Sequence, residues 1–261
     1  MIIYCDGDSW TAGDIVDPEL FGDDLTKVND PRNTPYRLSK VWPGMLAYET
    51  INESEAGSSN DAIVRRVYRN VLSLLKEHDP KDLFVIVGWT SPERKDFYYR
   101  GRSHNSWDTL YPAQMEQDFS YDKDLKEFYR IYLEKFWNEE EYLERYIQQN
   151  LSLHHFLVNK NIKHLFFDAF YEAKSTVIDR MWKSIDLKKK IEEWYRHDEY
   201  FIHYKDEFTK LREEVFVEFS MKDFLLNTYK GRDTMFDGQH PNKKGHRHWA
   251  VIMNKLIKDR L

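Results

Sequence analysis

The sequence predicts an α/β fold, and three observations carry that expectation. Short apolar runs recur at 1–5, 83–87 and 162–167, and long polar segments separate them, as crossover helices separate parallel strands. The clearest run, 83–87, is unbroken and stops at Gly88, the composition of a strand buried on both faces. Between the runs, apolar residues fall three or four apart, the spacing of amphipathic helices.

Taken in order, residues 1–5 read as a first buried strand that ends in the sharp loop Asp6-Gly7-Asp8-Ser9. Chemistry in such folds gathers at the carboxyl ends of strands. Residues 42–48 look helical, and 49–52 fit a short second strand. Gly57-Ser58-Ser59-Asn60 forms a turn with cap residues for a helix over 61–77, where Ile63, Val67, Val71, Leu74 and Leu75 share a face. After the third strand at 83–87, the segment 122–159 carries helical spacing with Leu125, Phe128, Tyr132, Phe136, Tyr142, Tyr146 and Leu153, a stripe expected to pack in the core. Residues 162–167 make a fourth strand and 215–219 a fifth. Residues 186–211 alternate Lys and Glu among aromatics as a helical excursion, and a helix from about 246 to 258 closes the chain. With no internal repeat, low-complexity tract or Gly/Ser linker, 1–261 is expected to be one domain with helical insertions at about 120–160 and 185–211.

The 261 residues carry 39 Lys plus Arg against 45 Asp plus Glu, a net charge of -6. That balance, without a basic stripe, gives no footprint for nucleic acid. Hydrophobic residues at 41% and aromatics at 16% provide a core and exclude disorder as the main state. The lone Cys5 excludes an internal disulfide and a Cys-based zinc cluster. Inside the first strand, it reads as packing rather than as a catalytic thiol. No stretch approaches the roughly 18 apolar residues of a bilayer span, and the start lacks a basic, apolar leader. The expectation is a cytoplasmic or otherwise soluble protein without a signal peptide or a membrane partner.

Two segments at opposite ends of the chain stand out: Gly7-Asp8-Ser9-Trp10 after the first strand, and Asp237-Gly238-Gln239-His240-Pro241 before the last helix. A serine needs a base to become a nucleophile, and a histidine needs a carboxylate to fix its tautomer and stabilise its charged form. Asp237 and His240 lie three residues apart on one loop, within reach of a serine presented by the first strand. At these residues the chain resembles the GDSL or SGNH hydrolase family, whose first block is Gly-Asp-Ser and whose last is Asp-x-x-His-Pro with a Gly following. The resemblance implies a three-layer, flavodoxin-like α/β/α domain with a roughly five-stranded parallel sheet. It implies Ser9 as nucleophile, His240 as general base and acid, and Asp237 as its orienting partner. Gly57 is the best counterpart of the second block, whose backbone N–H lines an oxyanion hole together with that of Ser9. The implied reaction is hydrolysis of a carboxylic ester without a cofactor, on a small-molecule or glycan ester such as an O-acetylated carbohydrate. Trp10 and Trp89 flank the expected site as candidates for stacking on a sugar ring or for packing. Arg94 is a candidate for an acidic substrate group or a loop residue.

The third block departs from the family pattern. Gly-x-Asn-Asp is replaced by Gly88-Trp89-Thr90-Ser91, so Thr90 stands where an amide donor is expected. Loss of one oxyanion donor costs on the order of 10²-fold in rate. Thr90 substitutes, Asn60 or Arg94 swings in, or activity is reduced; Asn60 also fits a plain helix cap. Two alternatives follow from the same residues. One is a non-catalytic binding or structural module on this fold. The other is a haloacid-dehalogenase-type Mg-dependent phosphatase in which Asp6 of Asp6-Gly7-Asp8 attacks phosphorus, which Trp10 and the absence of a later acidic pair disfavour. A metal reading of His240, His246 and His248 with Asp237 matches no usual zinc spacing, so no metal or cofactor is expected.

Overall fold

The computed structural model describes residues 1–100, 105–110, 112, 123–169, 202–228 and 235–261. Its centre is a wholly parallel sheet of β1 (Ile2–Asp6), β2 (Glu49–Asn52), β3 (Leu83–Trp89) and β6 (Lys163–Asp168), in the order β2-β1-β3-β6. β3 is buried at every position because helices cover both faces. Each large apolar side chain there contributes roughly 1.5–3 kcal/mol by leaving water.

Alternation along the strands sorts the core into two layers. Tyr4, Val85, Val87, Trp89 and Phe166 face α4 (Asn60–Leu74), α6 (Glu139–Asn159) and the Ile202–Val215 helix. Ile3, Cys5, Phe84, Ile86, Leu165 and Phe167 face the Met221–Thr228 and Lys243–Arg260 helices and Trp42. The architecture is therefore α/β/α, with the strand order of flavodoxin-like doubly wound folds. Cys5 is fully buried, and burial pushes its thiol well up from its ordinary value.

Several expectations require correction. The fifth strand is reduced to a single parallel bridge between Phe216 and Phe166, with Val217 N–H on Phe166 O at 2.9 Å. Two helices squeeze it, one running to Val215 and the next opened by Ser220, whose hydroxyl accepts from Asp223 N–H at 2.9 Å. The helix expected over 42–48 is one 3₁₀ turn, Pro43–Met45. The 122–159 stripe divides in three. Tyr142, Tyr146 and Leu153 enter the main core. Leu125 and Tyr132 of α5 (Lys123–Lys135) join Tyr129 and Leu110 in a separate small core, while Phe128 and Phe136 are exposed.

That small core exists because of an antiparallel hairpin the apolar runs did not reveal, β4 (Lys95–Arg100) with β5 (Asn105–Leu110). Its root is tied to the start of α4. Asp96 accepts from Ser59 Oγ at 2.5 Å and from Thr109 Oγ1 at 2.8 Å, and Arg65 covers the Trp107 ring at 3.9 Å. Of the expected insertion at 185–211, residues 185–201 lie outside the described residues; from Ile202 the chain is helical. Among the described residues, no helix is long and apolar enough to cross a membrane.

Candidate active site

Ser9 owes its position to two glycines. β1 is flanked by β2 and β3, and the loop after it carries Gly7, Asp8 and the one-turn helix α1 (Ser9–Ala12). A Cβ on Gly7 would meet Thr11 Oγ1 at 2.5 Å and Gly88 O at 3.1 Å; one on Gly88 would meet Thr11 Oγ1 at 2.8 Å. Side chains at either position would lift α1 off the ends of β1 and β3. Asp8 caps α1, its carboxylate accepting from Trp10 N–H at 2.9 Å. Ser9 thus sits at the carboxyl end of a central strand, where connections leave to opposite sides of the sheet.

His240 reaches Ser9 from the other end of the chain. It lies on β8 (His240–Pro241), paired with β7 (Phe236–Asp237) through a turn in which Gly238 has φ 62°. Asn242 then caps the last helix by accepting from Lys244 and Gly245 N–H, both at 3.0 Å. His240 Nε2 is 2.9 Å from Ser9 Oγ, and its Nδ1 is 3.1 Å from Asp14 Oδ2. In the tautomer that satisfies both contacts, Nδ1–H donates to Asp14 and Nε2 accepts from the serine hydroxyl.

The carboxylate behind the histidine is therefore Asp14 and not Asp237. Asp237 is the ladder neighbour of His240, its side chain exposed and without a hydrogen bond or ion pair among the described residues. Gly13 explains the exchange. Its N–H closes α1 on Ser9 O at 2.7 Å, its φ is 75°, and a Cβ there would lie 2.1 Å from Val41 Cγ1. The chain turns sharply beneath Val41 and delivers Asp14 to the imidazole. The only linear signal was a Gly-Asp pair directly after the nucleophile's turn. Burial pushes the Asp14 carboxyl up, the histidine charge pulls it down, and the neighbouring Asp8 and Arg37 act in opposite senses.

The two backbone N–H groups expected to line an oxyanion hole, that of Ser9 at the start of α1 and that of Gly57, have no acceptor among the described residues. Gly57 has φ 81° and open space where a Cβ would stand. The side-chain donors expected beside them are committed elsewhere. Thr90 gives its hydroxyl proton to Asp8 Oδ2 at 2.7 Å. Asn60, almost fully buried, is locked to the Thr90 main chain, accepting from its N–H at 3.0 Å and donating to its carbonyl at 3.1 Å.

Nor do the expected substrate contacts face a ligand. Trp10 is buried against Phe236 with ring centroids 5.6 Å apart. Trp89 is fully buried, edge-on to Phe166 and Tyr146, because strand alternation turns it into the helical layer. Arg94 is buried in the wall of the site, its Nη1 3.2 Å from Asp8 Oδ2 and 3.1 Å from Ser58 O.

Beneath the loop lies a second arginine that sequence reading missed. Arg66 interrupts the apolar face of α4 between Ile63 and Val67, which was its signal. It bonds Asp6 Oδ1 at 2.6 Å, Gly7 O at 3.1 Å, Glu55 at 3.1 Å and Ser58 Oγ at 2.9 Å. Burial pushes the Asp6 carboxyl up to about 6 against the opposing pull of Arg66. Enclosed by Arg66, Tyr4 O–H and Gly7 N–H, Asp6 is shut away from any phosphate, which counts against the phosphatase alternative. His246 is buried behind the site, and His248 is partly exposed. Among the described residues no group of three or more His, Cys, Asp or Glu is arranged to hold a metal ion.

Comparison with solved structures finds distant likenesses. A member of the lipolytic G-D-S-L family from Veillonella parvula DSM 2008 has 14% identity and TM-score 0.48, with 100% of each chain covered. The psychrotrophic esterase EstA from Pseudoalteromonas sp. has 14% identity and TM-score 0.46, covering 99% of this chain and 97% of its own. The acetyl xylan esterase AlAXEase has 17% identity and TM-score 0.45, covering 98% and 100%. Similarity of this degree assigns no activity. No curated protein matches the chain. A family model does match residues 21–200, more than half of the 261, leaving Ser9, Asp14 and His240 outside its span. The chain belongs to that family, the family of unknown function DUF6071.

Proposed function

We propose that this protein is a serine esterase that hydrolyses a carboxylic ester through Ser9, His240 and Asp14. One observation carries the reading: the unbroken relay from Ser9 Oγ to His240 Nε2 at 2.9 Å and from Nδ1 to Asp14 at 3.1 Å. A serine, a histidine and a carboxylate in this order form the constellation that activates a hydroxyl for acyl transfer.

In the first half-reaction Ser9 Oγ attacks the ester carbonyl while His240 Nε2 takes the serine proton. Asp14 holds the imidazole in the required tautomer and stabilises its charged form. The carbonyl oxygen becomes an oxyanion, received by the N–H groups of Ser9 and Gly57. Collapse breaks the bond to the leaving alkoxide, which takes the proton back from His240. Water, deprotonated by His240, then attacks the acyl-serine by the same route and releases the acid. No step requires a cofactor.

The aromatic residues that suggested a sugar ring, Trp10 and Trp89, are buried, so small acyl esters are the substrates to test first. O-acetyl groups on carbohydrates are one class of these. The test is labelling by a fluorophosphonate together with hydrolysis of p-nitrophenyl acetate. Labelling confined to Ser9, with Ser9→Ala abolishing both signals, supports the esterase. A chain inert in both assays leaves the non-catalytic module as the reading, with the Thr90 and Asn60 side chains engaged within the protein.

A further inference from the structure

We infer that Arg94 is the positioning residue that sets the oxyanion hole, through a salt-bridged clamp on the flanks of its two backbone donors. The inference rests on the esterase reading above. Its basis is one nitrogen: Arg94 Nη1 donates to Asp8 Oδ2 at 3.2 Å and to Ser58 O at 3.1 Å. Asp8 is the residue before Ser9, and Ser58 is the residue after Gly57. A single side-chain atom thus bridges the immediate neighbours of both backbone donors.

The two donors need such a bridge. An oxyanion hole works only when its N–H groups lie within about 2.7–3.1 Å of one point, which fixes the spacing of the two loops. Gly57 has no side chain to pack, and open space lies where its Cβ would stand. The loop is therefore located by its flanks. Arg66 grips the lower side through Glu55 and Ser58 Oγ. Arg94 grips the upper side through Ser58 O, and its other contact joins the cap of the helix that carries Ser9. Arg94 is held in turn by α6, where Arg145 donates to Pro92 O at 2.8 Å and Arg94 O at 3.2 Å.

The consequence is specific. Loss of the clamp lets the Gly57 loop move relative to Ser9 while the Ser9–His240–Asp14 relay keeps its own two contacts. Hydrolysis of p-nitrophenyl acetate is to be measured for wild type, Arg94→Met and Arg94→Lys, with thermal melting of each. The lysine variant keeps a charge beside buried Asp8 but ends one bond short of Nη1, so it carries the test if the methionine variant does not fold. The expected result is a fall in kcat of about 10²-fold for Met and a smaller one for Lys, with KM unchanged. In Arg94→Ala, added guanidinium ion is expected to restore part of kcat. Folded variants with wild-type kcat overturn the clamp and leave the esterase standing. A rise in KM alone also overturns it, since the damage then lies in binding. A wild type inert to ester and fluorophosphonate alike sinks the esterase reading and the clamp with it.

Discussion

Asp14 Oδ2 lies 3.1 Å from His240 Nδ1, while Asp237, the nearer residue in sequence, stays in solvent. The two aspartates make opposite predictions. Asp14→Asn replaces the acceptor that fixes the imidazole tautomer, and in a serine protease of known mechanism the same exchange lowers kcat about 10⁴-fold. A loss of 10³-fold or more is expected here, with Ser9 labelling slowed in parallel. Asp237→Asn is expected to stay within about twofold of wild type. Side-by-side kcat measurements decide, and a silent Asp14→Asn beside a dead Asp237→Asn reverses the assignment.

Thr90 is expected to matter more for stability than for rate. Its hydroxyl serves Asp8, which is fully buried and keeps Trp10 N–H and Arg94 as its other donors. Thr90→Val preserves the β-branched shape and removes one donor from a buried carboxylate, at a cost of about 1–3 kcal/mol. For a domain of this size that is a fall of several degrees in Tm. The fall in kcat is expected to be less than tenfold. An unchanged Tm with kcat down 10²-fold would show instead that the hydroxyl turns to the oxyanion during the reaction.

What was legible in the chain were the elements whose chemistry is local. β1, β3, β6, α4 and the last helix announce themselves as apolar runs or faces, and Ser9 and His240 as the centres of short motifs. The β4–β5 hairpin did not, because on β4 only Phe97 and Tyr99 bury apolar surface against α5, while Tyr98 and Arg100 are exposed and the buried Asp96 is polar. Asp14 was hidden for a different reason. What places it is Gly13 beneath Val41, a tertiary contact that spacing cannot show. Trp10 and Trp89 stand beside motif residues in sequence, but the strand that carries Trp89 reverses its side chains at every step and the helix that carries Trp10 fans them around its axis, so adjacency to a site says nothing about facing it. The Arg94–Asp8 bridge spans 86 residues and leaves no periodic trace.

Gly57 separates backbone strain from oxyanion placement. With φ at 81° and nothing within 4 Å of a built Cβ, alanine there meets no clash and pays only the left-handed conformation, about 1–2 kcal/mol. The loop is expected to relieve that strain by rotating, which re-aims the N–H. Gly57→Ala should lower kcat about 10²-fold with KM nearly constant. Gly22→Ala is the control: φ is 60°, the space is equally open, and the residue follows α2 (Pro18–Phe21). A loss of Tm at Gly22, where ψ of -131° adds to the strain, at least equal to that at Gly57, with kcat lost at Gly57 alone, is the expected pattern. Equal losses of kcat would reduce Gly57 to a structural turn.

His246 makes stability depend on pH in a direction that can be worked out. It is fully buried in the last helix, its Nδ1 accepting from Trp42 N–H at 3.3 Å. Burial, reinforced by the charge on His240, pushes its pKa down to about 3. In the unfolded chain a histidine titrates near about 6.5. As pH falls from there, the unfolded state takes up a proton that the native state refuses, so the unfolded state binds more protons and unfolding free energy falls. At about 1.36 kcal/mol per unit, the loss at pH 5 is roughly 2 kcal/mol. His164, pushed down to about 4 by burial, adds a loss of the same sign that both variant and wild type retain. Urea denaturation of wild type and His246→Asn at pH 7, 6 and 5 isolates the contribution. The variant is expected to lose about 2 kcal/mol less than wild type across that range. Parallel losses would mean that His246 accepts its proton in the folded protein, and the packing of Trp42 against the last helix would then have to open near neutral pH.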